Sequence, residues 1–187
     1  MTSTTKTKRM DLAFAALLSA DDEAIIAALT RIEQDGDARA VRPLLTALVN
    51  SKPGRIQQRI TQLLNEVKAP DAAKELLAAL DEPGFASVRR TILGAFWNAG
   101  IDVRDHLDRF ITIALEGSAE ECFECLTVIE HQEIWPEKTT RQALARVRKA
   151  HATESDAYKA SMLKDLVAVL EYRLGSEASD TSPETLN

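Results

Sequence analysis

Apolar residues recur along most of this chain at the three- and four-residue spacing of one helix face. The pattern divides into segments of about 12 to 16 residues, and none alternates apolar and polar positions in the way that indicates a strand. The clearest segments have apolar residues at Ile25, Ile26, Leu29 and Ile32; at Val41, Leu44, Leu45 and Leu48; and at Ile56, Ile60, Leu63, Leu64 and Val67. The pattern therefore predicts an all-helical fold.

Residues that end helices stand between these segments. Six of the seven glycines and five of the six prolines fall at the apparent boundaries, because both residue types interrupt a helix. Residues able to cap a helix start stand at Asp37, Ser87, Asp102 and Ser118. Because the connections are short, consecutive helices are expected to be antiparallel neighbours. We predict about ten helices, at residues 10–18, 21–34, 38–50, 54–68, 71–81, 86–99, 103–116, 119–132, 137–151 and 155–174.

The segments also resemble one another. The sequence LLTAL at residues 44–48 recurs 32 residues later as LLAAL at 76–80, and 35 residues after that as ITIAL at 111–115. The helices that follow repeat in step, since the apolar positions of residues 56–64 return at 88–96. A single helical hairpin of this length cannot bury its apolar face alone, so we expect the hairpins to stack and share a core.

Residues 25–48, IIAALTRIEQDGDARAVRPLLTAL, carry the closest resemblance to a known family. They resemble a HEAT repeat of the short type found in phycobilisome lyases, and Pro43 suits the first helix of such a unit, where it should bend or break the helix. Two further units, through residue 131, resemble the pattern less closely, because Pro43 has no equivalent in them. The resemblance implies a right-handed α-α superhelix, a solenoid of the HEAT and armadillo type with about ten antiparallel helices.

The pattern also suggests how the chain is divided. Residues 1–9 and 176–187 are polar and are predicted to be disordered tails, and residues 10–175 are predicted to form a single HEAT-like domain. The last helix is expected to pack through Tyr158, Met162, Leu166, Val169 and Leu170. Trp135 is expected to plug the loop after the last clear repeat.

Composition and charge narrow the possible environments. The chain has 187 residues, 45% of them apolar, and a net charge of −6. This balance argues against general affinity for nucleic acid or an anionic membrane. Basic residues 6–9 precede an apolar stretch at 12–18, as in a secretory signal, but the stretch is at the lower length limit and Asp11 stands at its entrance. We interpret it as a first helix and predict a cytoplasmic protein that spans no membrane.

Few residues suggest reaction chemistry. Cys122 and Cys125 form the only Cys-x-x-Cys pair, and no second pair completes a zinc site, so both are expected to pack inside a helix. HEAT-repeat hydroxylases resemble this chain in architecture but carry repeated His-Glu dipeptides as iron ligands, and no histidine here precedes a glutamate. We predict no metal, no cofactor and no catalytic residue. The enzyme alternative is a chromophore lyase, which shares the repeat type, and a nucleic-acid-binding HEAT-like protein is a weaker alternative.

Charged and polar surface positions favour binding instead. The acidic residues of 116–133 and the basic residues of 141–149 form separate groups, which are either ordinary solvated faces or, alternatively, patches that select a bipolar partner. In HEAT-like hairpins the second helix usually lines the concave surface, so its outward residues are the candidate site. For this chain they are Arg55, Gln58, Arg59, Gln62, Arg90 and Trp97. We therefore predict a non-catalytic scaffold or adaptor that binds another protein or a peptide.

Overall fold

A computed structural model describes residues 3–180, with side chains described for residues 7–175. Within residues 3–180 the chain is all-helical, with ten α-helices, three short 3₁₀ helices and no strand. The predictions of an all-helical fold and of ten helices are confirmed. The helices form two compact units, one up to Ile101 and one from Asp102 onward.

The first unit contains three helical hairpins. The helices are α1 (Ser3–Ala16), α2 (Asp22–Asp35), α3 (Val41–Asn50), α4 (Arg55–Asn65), α5 (Ala72–Leu80) and α6 (Arg89–Asn98). Each hairpin pairs consecutive helices: α1 with α2, α3 with α4, and α5 with α6. Neighbouring hairpins are joined by like helices, since α3 packs on α5 and α4 packs on both α2 and α6.

Arginine and lysine side chains also link these hairpins. Arg42 on α3 donates to Glu75 on α5 at 3.1 Å and also pairs with Glu82. Lys68, after α4, donates its Nζ proton to the main-chain oxygen of Ala99 at 2.7 Å. A cation at the carboxyl end of a helix is favourable, because the last carbonyl groups there lack helical partners.

The second unit contains two hairpins. Its helices are α7 (Leu107–Glu116), α8 (Ala119–His131), α9 (Glu137–His151) and α10 (Ala157–Asp180). Helix α7 packs on α8 and α9 packs on α10, while α7 also contacts α9 and α8 also contacts α10. Trp135 is buried in the loop before α9 and donates its Nε1 proton to the carbonyl of Ile129 at 3.2 Å. The expectation that Trp135 plugs this loop is confirmed.

Only some of the residues predicted to cap a helix start do so in the structure. Ser118 accepts from the backbone of Glu121, whose carboxylate accepts from the backbone of Ser118, so this predicted start has a complete capping box. Asp37 and Asp102 each accept from the backbone N–H two residues later. Ser87, by contrast, lies inside a 3₁₀ helix, and α6 begins at Arg89 rather than at residue 86.

Pro43 shapes the start of α3. The predicted helix 38–50 is in fact a 3₁₀ helix, Ala38–Ala40, followed by an α-helix from Val41. Pro43 therefore lies in the first turn of α3, where its missing N–H is tolerated. The chain changes from 3₁₀ to α-helix at Val41, two residues before the proline. In an α-helix the proline ring would clash with the carbonyl group four residues earlier, so the α-helix does not extend back to that carbonyl.

The buried face of α10 differs from the predicted one. Leu163, Leu166 and Leu170 are fully buried, whereas Tyr158 is 54% exposed. Met162 and Val169 are half-buried, so the prediction is confirmed for Leu166 and Leu170, is wrong for Tyr158 and missed Leu163. The helix extends to Asp180, and α1 begins at Ser3, so parts of both predicted tails are helical. Residues 1–2 and 181–187 of those tails lie outside the described residues.

Candidate binding cleft

A cleft of about 700 Å³ runs along the solvent-facing side of α4 in the first unit. Helix α4 is strongly amphipathic because its apolar positions Ile60, Leu63 and Leu64 are buried against the unit. Its opposite face carries amides and a hydroxyl, so those groups line the cleft. The lining residues are Pro53, Gly54, Gln57, Gln58, Thr61, Gln62, Asn65, Glu66 and Asn98.

Three of the five amides are held by the protein itself. Gln57 donates to the carbonyls of Leu48 and Ser51, which closes the turn between α3 and α4. Asn98, at the end of α6, donates to the carbonyl of Gly94 at 2.8 Å. Gln62 accepts from Arg59 and donates to Glu66, both at 2.9 Å, so its amide has one fixed orientation.

The other two amides retain hydrogen-bonding capacity. Gln58 is exposed, and the Oδ1 atom of Asn65 is buried without a hydrogen-bond partner among residues 7–175. A buried polar atom without a partner is unfavourable and uncommon in folded proteins. Because an amide both donates and accepts, the exposed amide of Gln58 can pair main-chain groups of an extended peptide, whereas the Asn65 oxygen becomes available to a peptide when its side chain turns outward.

The predicted binding residues have different roles in the structure. Gln58 and Gln62 line the cleft, and Arg55 is the first residue of α4, next to the lining residue Gly54. Arg59 forms an ion pair with Glu33 on α2 as well as its hydrogen bond to Gln62. Arg59 therefore links two helices and fixes the orientation of a lining amide.

Arg90 and Trp97 lie on α6 and do not line the cleft. Arg90 is exposed and Trp97 is half-buried. Helix α6 instead contributes Asn98. Of the predicted binding residues, the cleft thus brings together Gln58 and Gln62, and Arg90 and Trp97 do not line it.

Asn65, an outward position of the helical pattern, also lines the cleft, as do Glu66 and Asn98, which the sequence pattern did not single out. Gln58, Gln62 and Asn65 stand four and three residues apart, so this spacing alone places three amides on one helix face. Asn98 has no such signal, because it comes from another helix and meets the cleft only through the packing of α6 on α4.

The charged groups predicted on the last hairpin are largely paired within their own unit. Arg146 on α9 pairs with Asp108 on α7, and Arg148 pairs with Glu171 on α10 at 2.6 Å. Arg141 pairs with Glu137 one turn earlier on the same helix. The basic group of α9 therefore contributes to packing between helices of the second unit.

Both cysteines are buried in α8, as the sequence predicts. Burial raises the pKa of Cys122 to about 11 from an ordinary value of 9.0, because a thiolate is poorly solvated inside the protein. In residues 7–175 no group of three or more His, Cys, Asp or Glu side chains could hold a metal ion.

We expect neither thiol to react with a disulfide reagent while the protein is folded. At pH 8 a thiol with a pKa of about 11 has roughly a hundredth of the thiolate fraction of one with a pKa of 9.0. The rate of reaction with Ellman's reagent measures this, and both thiols should react at once in denaturant. Rapid reaction of the folded protein would show that α8 exposes its cysteines.

None of the described helices is long and apolar enough to span a membrane. Comparisons with protein-family models, with curated proteins and with solved structures find no significant match for this chain.

Proposed function

We propose that this protein is a non-catalytic scaffold of HEAT-like repeats that acts in the cytoplasm and binds an extended segment of a partner protein along α4. The repeat assignment is supported by the packing within each unit, where hairpins associate through like helices: α3 on α5, α2 on α4, and α4 on α6. Stacked hairpins of this kind are the building blocks of the right-handed α-α superhelix that the sequence predicts.

The binding assignment is carried by one observation, a cleft lined by five amides in which the exposed Gln58 side chain has no hydrogen-bond partner among residues 7–175. An extended segment presents alternating N–H and C=O groups that such amides can pair. The cleft is open and shallow rather than enclosed, which suits a peptide better than a compact small molecule. Affinity is then expected from a few hydrogen bonds and one or two side-chain anchors.

Selection from a displayed peptide library tests the proposal. The full-length protein should enrich peptides, and the dissociation constant of the best peptide should rise about tenfold or more when Gln58 and Asn65 are both replaced by alanine, because each lost hydrogen bond weakens binding. Fluorescence anisotropy with a labelled peptide measures this. The free energy of unfolding should not fall, since Asn65→Ala removes a buried oxygen that has no partner among residues 7–175.

The matched control replaces Gln34 and Asn50, an exposed pair in the same unit that does not line the cleft. This variant should bind the selected peptide as the parent protein does. The proposal fails if no peptide is enriched, or if the control weakens binding as much as the cleft variant.

A further inference from the structure

Helix α4 carries its terminal charges in the order that opposes its own dipole. Arg55 is its first residue and Glu66 is its carboxyl-terminal cap. A cation at the amino end and an anion at the carboxyl end are both unfavourable for a helix. Helix α9 has the favourable order, with Glu137 in its first turn and basic residues in its last, whereas α6, like α4, begins with arginine.

Neither charge is neutralised by the described part of the protein. Arg55 and Glu66 are both exposed, and within residues 7–175 neither forms an ion pair; Glu66 only accepts a hydrogen bond from Gln62. Local rules of stability are most often violated where a residue serves a function. Two exposed charges without ion-pair partners in that part of the chain remain available to a ligand that lies along α4.

Both charges lie at the ends of α4, along which the amide-lined cleft runs. Glu66 lines it directly, and Arg55 follows the lining residue Gly54. The lining residues of α4 between them are uncharged. At 1.5 Å per residue the two ends of α4 are about 16 Å apart along the axis, which an extended peptide spans in about five residues.

A second cavity adjoins the cleft at Glu66. This pocket of about 430 Å³ lies between α2, α3 and α4 of the same unit, and Glu66 is the residue that lines both cavities. Its wall is mainly aliphatic, with Ile32, Val41, Leu44 and Val67 among its residues. Such a wall accepts an apolar side chain from a segment that lies in the cleft.

We infer that the cleft selects an extended peptide with an acidic residue at Arg55, a basic residue about five positions away at Glu66, and an aliphatic or aromatic residue beside the basic one that enters the pocket. The inference rests on the proposed function and adds the chemistry and polarity of the partner. The charges fix the direction of the peptide, and the pocket fixes its register.

An array of short synthetic peptides tests polarity and spacing together. Each peptide carries one Asp and one Lys, in either order and at every spacing, with Leu beside the Lys and serine and alanine elsewhere. We expect the strongest binding at a separation of about five residues in one order, and about tenfold weaker binding when the Asp and Lys are exchanged, as two partly exposed ion pairs predict.

The decisive variant exchanges the two charges, Arg55→Glu with Glu66→Lys. It should reverse the preference and bind best the peptide in which Asp and Lys are exchanged. It should also melt at a higher temperature, because the new charges agree with the dipole of α4. The matched control, Lys74→Glu with Asp22→Lys, exchanges two exposed charges of the same unit away from the cleft and should leave the preference unchanged.

The pocket is tested separately with Val67→Phe, at a half-buried position of its wall. Filling the pocket should remove the preference for Leu over Ser beside the Lys and keep the preference for charge order. If peptides bind but neither variant changes the preference, the inference is wrong and the proposed function stands. If no peptide binds the parent protein, the proposed function itself fails.

Discussion

Replacing Phe110 with alanine is expected to lower the free energy of unfolding by about 3 to 5 kcal/mol. Phe110 is fully buried, and its helix, α7, packs on both α8 and α9. The substitution loses the burial of the ring and leaves a cavity in a closely packed interior. Urea denaturation followed by circular dichroism measures the change, and hydrogen exchange should place it in residues from Asp102 onward, since that part of the chain is a compact unit.

Phe123 provides the matched control, because it lies in the same unit on α8 but is 46% exposed. Phe123→Ala should lower the free energy of unfolding by less than about 1 kcal/mol. Equal effects of the two substitutions would contradict the assignment of α7 as the helix that joins the two hairpins through a buried core.

The periodicity of apolar residues was sufficient to predict the helices and the inner face of α4. Ile60, Leu63 and Leu64 stand three and four residues apart with polar residues between them, so only one face could be buried. In α10 the apolar residues cover a wider arc that includes both Met162 and Leu163. Periodicity alone does not choose between adjacent faces of such a helix, because the choice depends on the helices it packs against.

The same limit applies to the binding cleft. Gln58 and Gln62 could be predicted because they lie opposite the buried face of their own helix. The ion pair of Arg59 with Glu33 could not, since the two residues are on different helices and 26 positions apart. An outward position in a helical pattern indicates exposure, whereas the partner of a charged side chain is set by packing between hairpins.

The aliphatic pocket could not be predicted either, because no single segment of the sequence indicates it. Ile32 lies on α2, Leu44 on α3 and Val67 just after α4, and each carries the ordinary signal of a core residue. The pocket lies where these three elements meet. How they meet depends on the angles between helices, which periodicity does not specify.

Replacing Lys159 with methionine is expected to lower the free energy of unfolding by about 1.5 to 3 kcal/mol. The Nζ atom of Lys159, in the first turn of α10, donates to the carbonyls of Leu115 and Gly117 at 2.9 and 2.7 Å. Only 12% of its side chain is exposed. Methionine retains the aliphatic stem but leaves the carboxyl end of α7 without its cation, and those carbonyls have no helical partner.

Lys164→Met is the appropriate control, because Lys164 lies on the exposed side of the same helix, and it should change the free energy of unfolding by less than about 0.5 kcal/mol. Urea denaturation measures the free energy of unfolding of both variants. A larger loss for Lys159→Met indicates that this lysine links the hairpins, because both variants remove one positive charge. Lys68 makes the corresponding contact to Ala99 in the first unit, so Lys68→Met should also be destabilising if lysines join neighbouring hairpins in this way. If Lys159→Met and Lys164→Met have the same effect, water replaces the ammonium group at the end of α7, and Lys159 does not link the two hairpins.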